Sequence, residues 1–259
     1  MTSLLRKPFI AGNWKMHLTI AESVALAKET AKACGQNGPD TAVCVPFTAI
    51  TAVVSAVQGS TVLVGGQDLH WESQGAFTGE VSARMLADAG CKTVVIGHSE
   101  RRRYFNETDE TVNKKLKAAL GAGLLPIVCV GETLDERESQ KTYRVLETQV
   151  KGAFAGFSAA DLARVVIAYE PVWAIGTGKT ATPDQAQDSH IFIRKLVART
   201  FDEKLAAGMR ILYGGSVKAD NVDSLMAQPD LDGALVGGES LKAANFSRII
   251  QFKAMAGAA

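Results

Sequence analysis

Eight short runs of apolar, largely β-branched residues recur along the chain, at 8–12 (PFIAG), 42–46 (AVCVP), 62–66 (VLVGG), 93–97 (TVVIG), 126–130 (PIVCV), 165–169 (VVIAY), 210–214 (RILYG) and 233–237 (GALVG). Nothing else in the sequence constrains the fold as strongly. Runs this short and continuous suit strands buried on both faces, as parallel strands are. Between them lie longer segments with helical periodicity. In 20–34, Ile20, Val24, Ala27 and Ala31 share one face, with Glu22, Lys28 and Lys32 pointing elsewhere. In 107–120 the apolar face is Val112, Leu116, Ala119 and Leu120, and Lys114, Lys115 and Lys117 are expected around the other side. Segments 183–206 and 217–228 behave similarly, and Thr182-Pro183-Asp184 predicts a helix start.

Eight strand–helix units in 259 residues match the size and count of a closed (β/α)8 barrel, an α/β fold that here spans 1–259 as a single domain. An open doubly wound sheet would show similar strands. Against it, no G-x-G-x-x-G opens a helix after the first run, and every run is followed by a crossover. Charge narrows the partners: 28 Lys+Arg against 27 Asp+Glu leave +1, which argues against nucleic acid and against an electrostatically held membrane protein. No apolar stretch reaches the ~18 residues that span a bilayer. The cysteines Cys34, Cys44, Cys91 and Cys129 are scattered, without metal-ligand spacing, and suit a reducing compartment. The start, MTSLLRKPFIAGNWKM, lacks the pattern of a secretory signal. The expectation is a soluble, cytoplasmic chain without a metal.

Barrel chemistry is built where strands end. Asn13 and Lys15 follow the first run, Gln67 and Asp68 the third, His98, Ser99 and Glu100 the fourth, and Glu132 the fifth. The sixth gives Glu170 and then PVWAIGTGK, the seventh Gly214-Gly215-Ser216, and the eighth Gly237-Gly238-Glu239. The opposite ends carry generic turns such as Gly90, Gly121 and Gly208. This asymmetry points to an enzyme.

Each candidate also has a plain structural reading. His98 could be a satisfied core histidine, but it opens a helical turn whose positive end disfavours imidazolium and leaves a neutral proton donor. Glu170 could cap a turn, or be a base desolvated under a closing loop. Lys15 could be a snorkelling side chain, a fixed cation, or a Schiff-base nucleophile of a phosphate-binding aldolase. The late glycine clusters, with Gly176, could let backbone N–H groups approach phosphate oxygens. The charged stretches 99–103 and 135–138 read as solvated helix faces or salt-bridge networks, and loop 73–80 as a site rim or a subunit contact.

GNWKM at 12–16, GHSERR at 97–102, AYEPVWAIGTGK at 168–179, YGGSV at 213–217 and VGGE at 236–239, in this order along the whole chain, resemble the triosephosphate isomerase family. The resemblance implies interconversion of dihydroxyacetone phosphate and D-glyceraldehyde 3-phosphate, without a cofactor. It implies Glu170 as base, neutral His98 as electrophile and proton shuttle, Lys15 as cation, Asn13 as a hydrogen-bond donor to substrate oxygens, and Glu100 positioning Lys15. Phosphate would rest on backbone N–H groups of Gly176, Ser216, Gly237 and Gly238. Pro171, Val172, Trp173, Ala174, Ile175, Gly176, Thr177, Gly178 and Lys179 would form a lid. A homodimer is implied, with Thr78 inserted beside Asn13 and Lys15 of the neighbouring subunit.

Overall fold

Along each strand, successive side chains enter two different apolar layers. Phe9 and Ala11 of β1 (Phe9–Asn13) point into one cluster with Ala42, Cys44, Val95, Ile127, Ala168, Leu212 and Leu235, while Ile10 joins a second cluster with the helices. Period-two alternation therefore underlies runs that are apolar throughout, as strands buried on both faces require. The structure, a computed structural model, describes residues 6–175 and 180–253.

The remaining strands are β2 (Asp40–Cys44), β3 (Val62–Gly66), β4 (Thr93–Ile96), β5 (Leu125–Val130), β6 (Val166–Tyr169), β7 (Arg210–Tyr213) and β8 (Gly233–Val236). All pair in parallel in chain order, and β8 returns to β1 with Phe9 opposite Gly233, so the sheet is a closed barrel. Closure needs that glycine: its φ is +146°, and an added Cβ would lie 1.9 Å from the Phe9 carbonyl oxygen.

The crossovers are α1 (Ile20–Ala33), α2 (Ile50–Ala56), α3 (Ala83–Asp88), α4 (Ser99–Tyr104), α5 (Asp109–Gly121), α6 (Leu134–Glu138), α7 (Thr142–Ala153), α8 (Pro183–Thr200), α9 (Glu203–Gly208), α10 (Val222–Met226) and α11 (Ala243–Ile250). Thr19, Thr108, Thr133 and Thr182 close capping boxes at α1, α5, α6 and α8. Each satisfies amides that the first turn leaves unpaired. Among the described residues no helix is long and apolar enough to cross a membrane.

Three expectations change. The buried row of α1 is Ser23, Leu26, Ala27 and Thr30, and Ile20 is 52% exposed. Ser23 and Thr30 count as polar in a periodicity reading, but the Thr30 hydroxyl donates to the Leu26 carbonyl and can turn inward. Segment 183–206 is two helices, because the Asp202 carboxylate accepts the Leu205 amide and caps a new one. Lys115 lies on the buried side of α5, not with Lys114 and Lys117, held by the carboxylates of Asp68 and Glu107. The far end of the barrel is also less generic than its turns suggest: Arg194 binds Asp230 at 2.5 Å and Asp232 at 2.7 Å, and Arg6 binds Asp232 at 2.5 Å.

Candidate active site

The C-terminal strand ends surround a cavity of about 400 Å³ lined by residues that include Asn13, Lys15, His98, Glu170, Ser216 and Gly237. Glu170 directly follows β6, its amide on the Val130 carbonyl, and its side chain is 2% exposed. Gly214 makes room for it, since a Cβ there would sit 2.9 Å from Glu170 Cγ. One carboxylate oxygen accepts the Ser99 amide at 2.9 Å, and the other lies 2.9 Å from His98 Nε2.

His98 caps α4. Its Nδ1 accepts the Glu100 amide at 3.2 Å, which leaves the ring proton of the neutral tautomer on Nε2, facing Glu170. The lowered His98 pKa expected from the helix N-terminus is not found. At Nε2 a second influence dominates: burial opposes the charged ring, but the Glu170 carboxylate outweighs it and holds the His98 pKa above the ordinary imidazole value. Glu170 shows the mirror image. Burial disfavours its carboxylate, yet His98 and the Ser99 amide outweigh burial and keep its pKa below the usual carboxylate range.

Lys15 lies beyond β1 with φ +53°, a left-handed conformation that is uncommon outside glycine. Two contacts hold it there. The Lys15 amide donates to Asn13 Oδ1 at 3.1 Å, and the Gln67 side-chain amide donates to the Lys15 carbonyl at 2.9 Å. Lys15 Nζ is 2.6 Å from Glu100 Oε1, and the side chain crosses Gly237, whose added Cβ would be 3.5 Å from Lys15 Cε. Ser216 and Gly237-Gly238 complete this side of the cavity. Among the described residues, the amides of these three donate to no carbonyl or side chain.

Of the expected lid, Pro171 to Ile175 are described, and Val172–Ala174 form a 3-10 turn. Gly176, Thr177, Gly178 and Lys179 lie outside the described residues. Trp173 Nε1 donates to Glu132 Oε1 at 2.9 Å, and the Tyr169 hydroxyl donates to the same oxygen at 3.1 Å. Thr78 is exposed within loop 73–80, beside Phe77 at 43% exposure. Among the described residues no three His, Cys, Asp or Glu side chains converge as a metal site.

Sequence reasoning gave no role to two contributors. Gln67 holds the strained Lys15 backbone, and Glu132 anchors the 3-10 turn; each stands within two residues of a strand end, which is the available signal. Cys129 packs inside the barrel, its thiol pushed well up by burial and then by the Glu170 carboxylate, so it stays protonated.

A buried carboxylate in contact with an imidazole, over the open end of a barrel with a fixed ammonium alongside, defines an enzyme that moves protons on a small anionic substrate. The comparisons narrow that class. The triosephosphate isomerase family model matches residues 8–253. A triosephosphate isomerase of Pelobacter propionicus is 56% identical over 250 residues, covering 96% of this chain and 100% of its own. One from Trichlorobacter lovleyi is likewise 56% identical over 250 residues. The crystal structure of triosephosphate isomerase from Bartonella henselae superposes with a TM-score of 0.85 at 40% identity, covering 94% of this chain and 97% of that one. The chain belongs to the triosephosphate isomerase family.

Proposed function

We propose that this chain interconverts dihydroxyacetone phosphate and D-glyceraldehyde 3-phosphate, a step of glycolysis and gluconeogenesis, by proton transfer through an enediolate. The observation that carries the reading is the buried contact between Glu170 Oε1 and His98 Nε2 at 2.9 Å. A base and a proton donor that meet on the wall of one cavity can act on adjacent atoms of a substrate that enters between them.

The substrate phosphate rests on the amides of Ser216, Gly237 and Gly238. Lys15 supplies positive charge, and Asn13 both props the Lys15 backbone and reaches the substrate oxygens. Glu170 leaves the Ser99 amide, takes the C1 proton and returns it to C2. His98 gives its Nε2 proton to the carbonyl oxygen and relays it between the two oxygens. Leaving Ser99 and His98 strengthens the base, because those contacts hold its pKa down against burial. Glu100, 2.6 Å from Lys15 Nζ, positions the ammonium. Pro171 to Ile175 close over the site as part of the expected lid, which keeps water from the enediolate.

The Schiff-base aldolase reading has no support in this site. Lys15 lies past its strand, and its Nζ is held 2.6 Å from Glu100 Oε1. We further propose a homodimer in which loop 73–80 enters the neighbour's hollow beside Asn13, Lys15 and Phe105, with Thr78 at its tip. That hollow has about 290 Å³ of space. A cytoplasmic location fits the four free cysteines.

The reading is tested by turnover of glyceraldehyde 3-phosphate in a coupled assay, for wild type and Glu170→Asp. Retracting the carboxylate by one methylene costs about 10²-fold in kcat, as ~1 Å misplacements do. A folded but inactive wild type would sink the assignment.

A further inference from the structure

The short helix α4 carries much of the site, for His98 is its cap and the Ser99 amide holds Glu170. Yet its only buried residue is Ser99, and Tyr104 and Phe105 at its end are 62% and 64% exposed. Apolar packing, which seats most surface helices, does not fix this one. Its arginines do. Arg102 reaches the Gly97 carbonyl at 2.9 Å and Asp109 at 2.6 Å. Arg101, one turn from His98, binds Asp68 at 2.8 Å and Glu107 at 2.6 Å.

Asp68 and Glu107 are in turn held by Lys115 from α5. The side chains of Lys115, Asp68 and Glu107 are only 5%, 8% and 5% exposed. Two cations and two anions from the end of β3, α4, the turn before α5, and α5 itself thus form one closed, neutral cluster. Burial pushes the Asp68 carboxyl up to about 6 against the pull of Lys115, so the cluster is costly to hold in its charged form. A costly buried network is a poor source of stability but a good source of fixed geometry.

We propose that Lys115, which touches no substrate, is a positioning residue: through Asp68, Glu107 and Arg101 it fixes the orientation of α4 and thereby the His98 ring and the Ser99 amide. The inference rests on the proposed isomerase reading, but one of its readouts does not. Removing the cation leaves two buried carboxylates sharing Arg101 alone, and their mutual repulsion then tilts α4.

The test is Lys115→Met in the whole protein, with two measurements. Steady-state kinetics on glyceraldehyde 3-phosphate should show kcat lowered about tenfold with KM within about twofold, the signature of misplaced catalytic groups rather than lost binding. Proton NMR of the ligand-free protein should show the His98 Nε2–H resonance shifted or broadened. The His190 Nδ1–H resonance, from a buried ring 3.1 Å from the Asp230 carbonyl, should stay in place as the internal reference. If melting temperature falls while kcat and the His98 resonance match wild type, Lys115 is structural only and the proposal is overturned. If Lys115→Met does not fold, Asp68→Asn, which keeps the volume and removes one charge, is judged by the same two readouts. Should wild type itself lack isomerase activity, the functional reading fails and the His98 resonance alone decides the role of Lys115.

Discussion

At the scale of single residues, two side chains shift each other's pKa against the pull of burial. His98 is raised above its ordinary value of 6.5 and Glu170 is lowered below its ordinary 4.5, each outweighing the opposing effect of burial. The consequences for stability have opposite signs. The raised histidine contributes fully below 6.5 and loses that contribution as pH rises through its folded pKa. The lowered glutamate contributes above 4.5 and loses it as pH falls through its folded pKa. The pair is therefore worth most between the two values. His98→Asn keeps an acceptor for the Glu100 amide while removing the partner of Glu170. Relative to wild type it should lose more melting temperature at about pH 5.5 than at about pH 8.5. Equal losses at both pH values would show that the two groups are not electrostatically linked.

At the scale of elements, caps and strand ends were the readable features, and lateral contacts were not. Thr182-Pro183-Asp184 marked the start of α8, and the structure closes a capping box there: the Gln185 amide donates to the Thr182 hydroxyl at 3.1 Å, and the Thr182 amide to the Gln185 side chain at 3.1 Å. Thr182→Ala should cost about 1 kcal/mol in denaturant unfolding with an unchanged m-value. No loss would mean that tertiary packing, not the box, sets this end. Strand ends likewise pointed to His98, Glu170 and Lys15, because a parallel barrel puts all its C-terminal ends on one rim. The inward turn of Lys115 left no such mark. Its partner Asp68 is 47 residues away in sequence, and no local periodicity reports a pairing across that distance. The buried face of α1 departs from its apolar periodicity for a related reason: a threonine that bonds its own helix behaves as a core residue while counting as polar.

At the scale of the whole molecule, eight runs and their crossovers, with no dinucleotide-binding glycine motif after the first, point to a closed barrel; the closure itself, β8 pairing with β1, is read from the structure. What the runs leave open is which parts of the finished surface stay exposed. Met16 is 94% exposed, Phe105 64%, Phe77 43% and Phe47 40%, all on the connections that follow the first four strands. Met16, Phe47 and Phe105 line one hollow beside the candidate site, and an exposed apolar group of this kind fits the proposed subunit contact. The left-handed backbone of Lys15 lies at the edge of that hollow, so covering it would also restrain the lysine of the proposed site. Assembly and turnover should then fail together. In sedimentation, wild type should behave as a dimer, and Thr78→Arg, which places a long cation at the inserted tip, should shift the mass to that of one chain. The same variant should lose about tenfold or more in kcat, since a loosened loop costs geometry at the ammonium. A wild type that sediments as one chain at full activity would show that the barrel builds its site alone, and that the exposed apolar rim serves another purpose.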